Sequence, residues 1–167
     1  MLRHRLMVVL LTLAATPLLA AQPAPALDSV VAHTAQAAAL QMQAAEQALR
    51  QSQSADVKDF ALGVIDSHSR NKADLEAFAR SSNSALPDAS SLAEQARNKV
   101  EQLPEEQFDA AYAASQVKSY EQTINLLAQA ADHSGDSELQ RFASARLPEL
   151  KYQLVAARQL SRSHPLP

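Results

Sequence analysis

Hydrophobic residues along most of this chain recur at intervals of three and four positions, which places their side chains on one face of a helix. Alternation with a period of two, which is typical of strands, is almost absent, and β-branched residues are sparse. The pattern therefore predicts an all-α protein. It predicts four long helices and one short helix, at residues 28–53, 54–81, 91–102, 104–132 and 137–161.

Capping residues and prolines indicate where several of these helices begin. Ser91 and Glu94 have the spacing of a capping box, and Asp136 is placed to cap the last helix. Pro104 fits the first turn of a helix, because the backbone N–H that proline lacks has no partner there. Pro148 lies inside the last predicted helix and removes one backbone hydrogen bond from it.

The expected architecture is a ferritin-like antiparallel four-helix bundle with the short extra helix in the second-to-third connection. Each of the first two helices would be about 40 Å long at ~1.5 Å per residue, which suits a bundle better than most mixed folds. The bundle domain covers residues 28–161, and residues 162–167 form a flexible tail.

The first 21 residues have the three regions of a cleaved export signal: a basic start, an apolar run and two small residues. The apolar run of about 14 residues is shorter than the roughly 20 that a membrane helix needs. We expect cleavage near Ala21, followed by a Pro/Ala linker at residues 22–27. The mature protein should be periplasmic or secreted, with no transmembrane segment after cleavage.

Composition excludes several classes of function. The chain has no cysteine, so it has no disulfide, thiolate metal site or cysteine nucleophile. Its two glycines are too few and too far apart for a nucleotide-binding loop. The net charge of −3 is spread along the chain without a basic face, so we expect no nucleic-acid partner.

Each long helix has one polar residue near the middle of its apolar stripe. Antiparallel helices of similar length bring their middles to one level, so these side chains are predicted to form a polar cluster in the core. Buried polar groups of this kind are stable when they hydrogen-bond to one another. The four residues are Gln41, His68, Tyr120 and Gln153.

Two interpretations of His68 are open at this point. In the first, it belongs to a neutral hydrogen-bonded network that fixes the register of the helices, and the protein has no cofactor. In the alternative, it binds a transition metal, because bundle cores hold diiron and dimanganese sites through Glu and Glu-x-x-His ligands. The chain contains neither Glu-x-x-His nor His-x-x-x-His, so we expect no metal site, and His68 is the single candidate ligand.

No set of residues fits a catalytic site. Ser67 and Ser69 flank His68, but neighbouring positions of a helix point apart, and no glycine turn is present to form an oxyanion hole. The adjacent carboxylates Glu105 and Glu106 are explained by the positive end of a helix dipole. We therefore predict that the protein is not an enzyme and has no catalytic or cofactor-binding residues.

Three segments carry a family resemblance: "VKDFALGVIDSHSRNKADLEAFA", "FDAAYAASQVKSYEQTINLL" and "SELQRFASARLPELKYQLVAARQL". In this order they resemble the bacterial family known as domain of unknown function 4142, and the resemblance covers residues 28–160. It implies a ferritin-like helical bundle that is exported across the inner membrane, with no established activity.

The resemblance also assigns positions to the polar residues. His68 matches the first histidine of the family. Tyr120 and Gln153 stand where the family has its second and third histidines, and Gln41 and Gln43 stand where members commonly have Glu. These differences replace charged or metal-capable side chains with neutral ones. If relatives bind a metal in the core, the resemblance implies that this chain has lost it.

The sequence therefore predicts an exported, non-catalytic helical-bundle protein that binds another protein or acts in envelope stress. The alternative is a ferritin-like metal-binding protein with a core site around His68. An interaction surface is expected on the Ala-rich first helix or on the loop at residues 82–90.

Overall fold

The computed structural model of the protein describes residues 25–100 and 107–167. The predicted export signal at residues 1–21, the start of the Pro/Ala linker and the helix start at Pro104 lie outside these residues.

Five α-helices account for most of the described chain, and the described ranges contain no strand. The all-α prediction is confirmed, and four long helices and one short helix occur in the expected order. None of these described helices is both long and apolar enough to cross a membrane. The helices are α1 (Leu27–Gln51), α2 (Ala55–Ser81), α3 (Ala89–Val100), α4 (Phe108–His133) and α5 (Ser137–Ser163).

The four long helices pack in the cyclic order α1, α2, α5 and α4. Extensive contacts join α1 to α2 and α4 to α5, and each pair is connected by only three residues. Contacts between α1 and α4 and between α2 and α5 complete the cycle, and the second of these is the smaller. Helix α3 packs against α1.

Two hydrophobic clusters show how the helices run. The beginnings of α1 and α5 share one cluster with the ends of α2 and α4, and the other cluster has the opposite composition. Neighbours in the cycle are therefore antiparallel, whereas α2 and α4 run in the same direction. Helix α3 lies in the connection that returns the chain along α1. Representative members are Val30, Phe78, Leu127 and Leu139 in the first cluster, and Ala45, Val57, Tyr112 and Leu160 in the second.

Small residues of α1 and aromatic rings of α2, α4 and α5 fill the core. The buried face of α1 is mostly alanine and valine, which allows close approach of its neighbours. Phe78 of α2 stacks on Phe142 of α5 with ring centroids 4.2 Å apart, and Phe60 of α2 meets Tyr112 of α4 edge to face at 6.1 Å.

Acidic residues cap the two helices that have a side-chain cap. The carboxylate of Asp136 accepts from the backbone N–H groups of Glu138 and Leu139 at 2.8 and 3.1 Å, as predicted. The predicted capping box at Ser91 is wrong, because α3 begins two residues earlier and Asp88 accepts from the Ser91 N–H at 2.8 Å. An acceptor just before the helix satisfies the same free backbone donors.

The chain leaves α2 through a left-handed residue. Asn83 has a φ of 51°, and the Ser84 N–H donates to the Ala79 carbonyl at 2.9 Å. The Ser84 hydroxyl then donates to Asp28 at the start of α1 at 2.6 Å. This turn directs residues 85–92 back across α1 and α2.

Helix α5 continues through Pro148 from Ser137 to Ser163, so the proline does not divide it. The proline removes the hydrogen bond to the carbonyl of Ser144. Both residues are exposed, which leaves that carbonyl accessible to water.

We expect the substitution Asp136→Ala to lower the free energy of unfolding by about 1 kcal/mol, because two backbone donors of α5 lose their acceptor. Urea unfolding followed by circular dichroism measures the change. Asp132→Ala, at an exposed acid in the last turn of α4, is the control and should be neutral or slightly stabilising. Equal losses in both variants would contradict the assigned cap.

Candidate functional site

A cavity of about 270 Å³ lies between α1, α2 and the segment at residues 86–92, and α4 and α5 form its inner side. Its walls are mostly apolar. Predicted residues Gln41 and His68 both line it, whereas Tyr120 and Gln153 do not. Typical apolar members are Ala38, Met42, Leu75, Leu92, Phe142 and Leu150.

A polar network joins α2 to α5 beside this cavity. One carboxylate oxygen of Glu149 accepts from the Ser67 hydroxyl at 2.8 Å, and the other accepts from Nδ2 of Asn71 at 2.9 Å. Nη1 of Arg146 donates to the Asn71 side-chain oxygen and lies 3.7 Å from Glu149. Both ends of the Asn71 amide and both oxygens of Glu149 are therefore occupied.

The network has a simple origin in the sequence. Ser67 and Asn71 are four residues apart on α2, and Arg146 and Glu149 are three apart on α5, so each pair lies on one face of its helix. Asp66 is on a different face of α2, where it is exposed and pairs with Arg70. Sequence reasoning did not identify this network.

The network controls the charge state of Glu149. Burial raises the pKa of this carboxyl, but hydrogen bonds from Ser67 and Asn71 and the positive charge of Arg146 outweigh burial, and the net pKa is lowered. Glu149 is therefore a carboxylate at neutral pH, and its charge is balanced by its neighbours. Such a group is poorly suited to accept a proton from a substrate.

His68 follows Ser67 on α2 and is half-buried. Burial, and then the nearby charge of Arg146, lower the pKa of its imidazole to about 4, although Glu149 has an opposing effect. Nε2 is buried and has no hydrogen-bond partner within the described part of the chain. His68 is thus a neutral imidazole at neutral pH.

The other predicted polar residues occupy different positions. Gln41 is only 2% exposed, and its Nε2 has no partner among the residues described. Tyr120 is buried in α4, where burial and the charge of Glu149 raise its pKa. Gln153 is half-buried on α5. The structure thus brings Gln41 and His68 to one cavity and places Tyr120 within electrostatic range of Glu149.

Two more polar residues of the core were missed by sequence reasoning. Tyr112 and Gln116 are 0% and 1% exposed on α4, one turn apart. Burial raises the pKa of Tyr112, and the nearby Tyr120 adds to this effect. Their positions at intervals of four along α4 were a usable signal, because position 120 had already been placed in the core.

The charges that act on His68 come from Arg146 and Glu149. No group of three or more His, Cys, Asp or Glu side chains that could hold an ion occurs in the described ranges. Glu149 has both carboxylate oxygens bonded, and the positive Arg146 would repel a cation. Metal chemistry therefore has little support from this arrangement.

The first predicted interaction surface is largely covered. Between its two ends, α1 has a single exposed residue, His33, because α2, α3 and α4 pack against it. The loop at residues 82–90 remains accessible and includes Leu86, which is 36% exposed.

The fold and the site thus define an all-α protein with a charge-balanced polar network beside an apolar cavity. The chain belongs to the family described as Domain of unknown function (DUF4142), whose model matches residues 13–160. This confirms the resemblance seen in the sequence. No curated protein and no solved structure matches the chain.

We expect His68 to make stability depend on pH. An unfolded chain takes up the His68 proton below about 6.5, but the folded protein does so only near pH 4. Neutral His68 therefore makes its full contribution to the free energy of unfolding above pH 6.5. As the pH falls toward 4, the free energy of unfolding decreases by up to about 3 kcal/mol.

Urea unfolding at pH 7 and pH 4.5 tests this expectation. In the variant His68→Gln the side chain cannot be protonated. Between pH 7 and pH 4.5 its free energy of unfolding should fall by about 2 kcal/mol less than that of the wild type. His33→Gln, at an exposed histidine of α1, should keep the wild-type pH dependence. The same pH dependence in the wild type and in His68→Gln would contradict the assignment.

Proposed function

We propose that this protein is exported to the periplasm or secreted and acts there by binding, without catalysing a reaction. Its scaffold in this proposal is a ferritin-like antiparallel four-helix bundle, which is supported by the cyclic packing of α1, α2, α5 and α4. The family description gives no activity. A role in envelope stress and a protein partner stay predictions from the sequence.

The single observation that carries this proposal is the charge state of four titratable side chains in and beside the core. Catalytic acids and bases work best with pKa values near the working pH. Here the pKa of His68 is lowered to about 4, the pKa of Glu149 is also lowered, and the pKa values of Tyr112 and Tyr120 are raised. These four groups therefore support binding in the adjacent cavity more than proton transfer.

A metal-binding function around His68 is the second candidate. The observation in its favour is the neutral imidazole whose Nε2 has no partner in the described ranges, since neutral imidazole is a common metal ligand. The nearby Arg146 and the occupied oxygens of Glu149 count against it.

Export is tested with the full-length chain expressed in a bacterial host with a periplasm. We expect the protein in the periplasmic or extracellular fraction, with a mass that corresponds to loss of about the first 21 residues. Leu10→Arg, which places a charge in the apolar run, should keep the protein uncleaved in the cytoplasm. Recovery of an uncleaved wild-type chain from the cytoplasm would contradict export.

Metal analysis of protein purified without chelator separates the two functions. We expect less than about 0.1 metal ion per chain and no rise in melting temperature with iron, manganese, zinc or copper, because both oxygens of Glu149 are already bonded and Arg146 repels cations. His68→Ala and the control His133→Ala, at an exposed histidine, should then behave alike. Stoichiometric metal that is lost only in His68→Ala would establish the metal-binding function instead.

A further inference from the structure

The cavity between α1, α2 and residues 86–92 is large enough for a small organic molecule. Its volume is about 270 Å³. An apolar cavity of about 150 Å³ binds benzene, which has six non-hydrogen atoms. At the same ratio of volume to atoms, the cavity described here holds a molecule of about eleven non-hydrogen atoms. Small side chains of α1 create the space, because Ala35, Ala37, Ala38 and Ala39 all contribute to the wall.

Most polar residues of the wall have their hydrogen bonds satisfied. The hydroxyls of Thr34 and Thr123 donate to backbone carbonyls of their own helices at 2.7 and 2.9 Å. The Asn71 side chain is bonded to Glu149 and Arg146. These residues therefore contribute little to the binding of a polar ligand, and the wall is apolar in effect.

Two polar residues of the wall, His68 and Gln41, are exceptions, and Gln41 is the more deeply buried of the two. Its side chain is 2% exposed and lines the cavity, and its Nε2 has no hydrogen-bond partner within the described chain. An unsatisfied amide donor in such a site destabilises the protein without ligand, and a ligand oxygen that accepts from this donor would remove the penalty. Because this nitrogen is itself covered, the amide must rotate about its last torsion to meet the ligand, and that torsion has a broad energy minimum.

Charges around the cavity are paired, which favours a neutral ligand. Arg146 lies 3.7 Å from Glu149 on the inner side, and Lys72 lies 3.9 Å from Glu76 where α2 meets solvent. His68 is neutral, as shown above. A charged ligand would lose its hydration without gaining an unpaired opposite charge.

We propose that this cavity binds a small neutral molecule of about eleven non-hydrogen atoms, mainly apolar, with one hydroxyl or carbonyl oxygen that accepts a hydrogen bond from Gln41. This proposal rests on the proposed function, since it names the class of ligand that the exported protein binds. It adds a binding site and a residue that determines specificity.

Two probes of equal size test the proposal by isothermal titration calorimetry: 1-naphthol and 1-methylnaphthalene, each with eleven non-hydrogen atoms. Transfer out of water favours the methyl compound, so an apolar site without a donor binds it more tightly. In the wild type we expect 1-naphthol to bind at least as tightly. Gln41→Met keeps the size of the side chain and should weaken 1-naphthol about fivefold without weakening 1-methylnaphthalene.

Two substitutions of alanine locate the site. Ala38→Leu adds side-chain volume to the cavity wall and should abolish binding of both probes. Ala145→Leu, at an exposed position of α5, is the matched control and should bind both as the wild type does. Circular dichroism and thermal unfolding establish that each variant is folded.

Several outcomes would overturn the proposal. These are no binding of either probe, tighter binding of 1-methylnaphthalene together with no effect of Gln41→Met, or tighter binding of the anion 1-naphthoate than of 1-naphthol. If Gln41→Met does not fold, the relative affinities of the wild type for 1-naphthol, 1-methylnaphthalene and 1-naphthoate decide the question. Chromatography of the recovered 1-naphthol addresses the proposed function separately, because chemical conversion would contradict a non-catalytic role and unchanged probe would support it.

Discussion

The structure depends on the contact between Glu149 of α5 and its partners on α2. Among neighbouring long helices, α2 and α5 share the smallest contact, and the stacked rings of Phe78 and Phe142 are one apolar link between them. Hydrogen bonds from Ser67 and Asn71 to the carboxylate, with Arg146 beside it, add a polar link between the two helices. Charge-assisted bonds of this kind are directional, so they also fix the register of the two helices.

This contact influences the charge states of Glu149 and His68. Because Glu149 is balanced by Arg146 and bonded on both oxygens, it does not provide His68 with a proton acceptor or a metal with a free ligand. Burial and the Arg146 charge then keep the imidazole neutral. One contact thus both joins α2 to α5 and keeps Glu149 ionised.

The cavity follows from the position of α3. A long connection is needed because α2 and α4 run in the same direction, and α3 returns the chain along α1. The alanines of α1 allow close packing against α4, but opposite residues 86–92 their small side chains leave space. The same composition therefore produces both a compact core and a site for a ligand.

The sequence by itself determined the helices, their order, the Asp136 cap and the family, because three-and-four periodicity and capping are local properties. It also singled out Gln41 and His68. Only the tertiary structure decided that these two line one cavity and that Asn71 meets Glu149 across two helices. Partners 78 residues apart depend on how α2 and α5 pack, and no local pattern records that geometry.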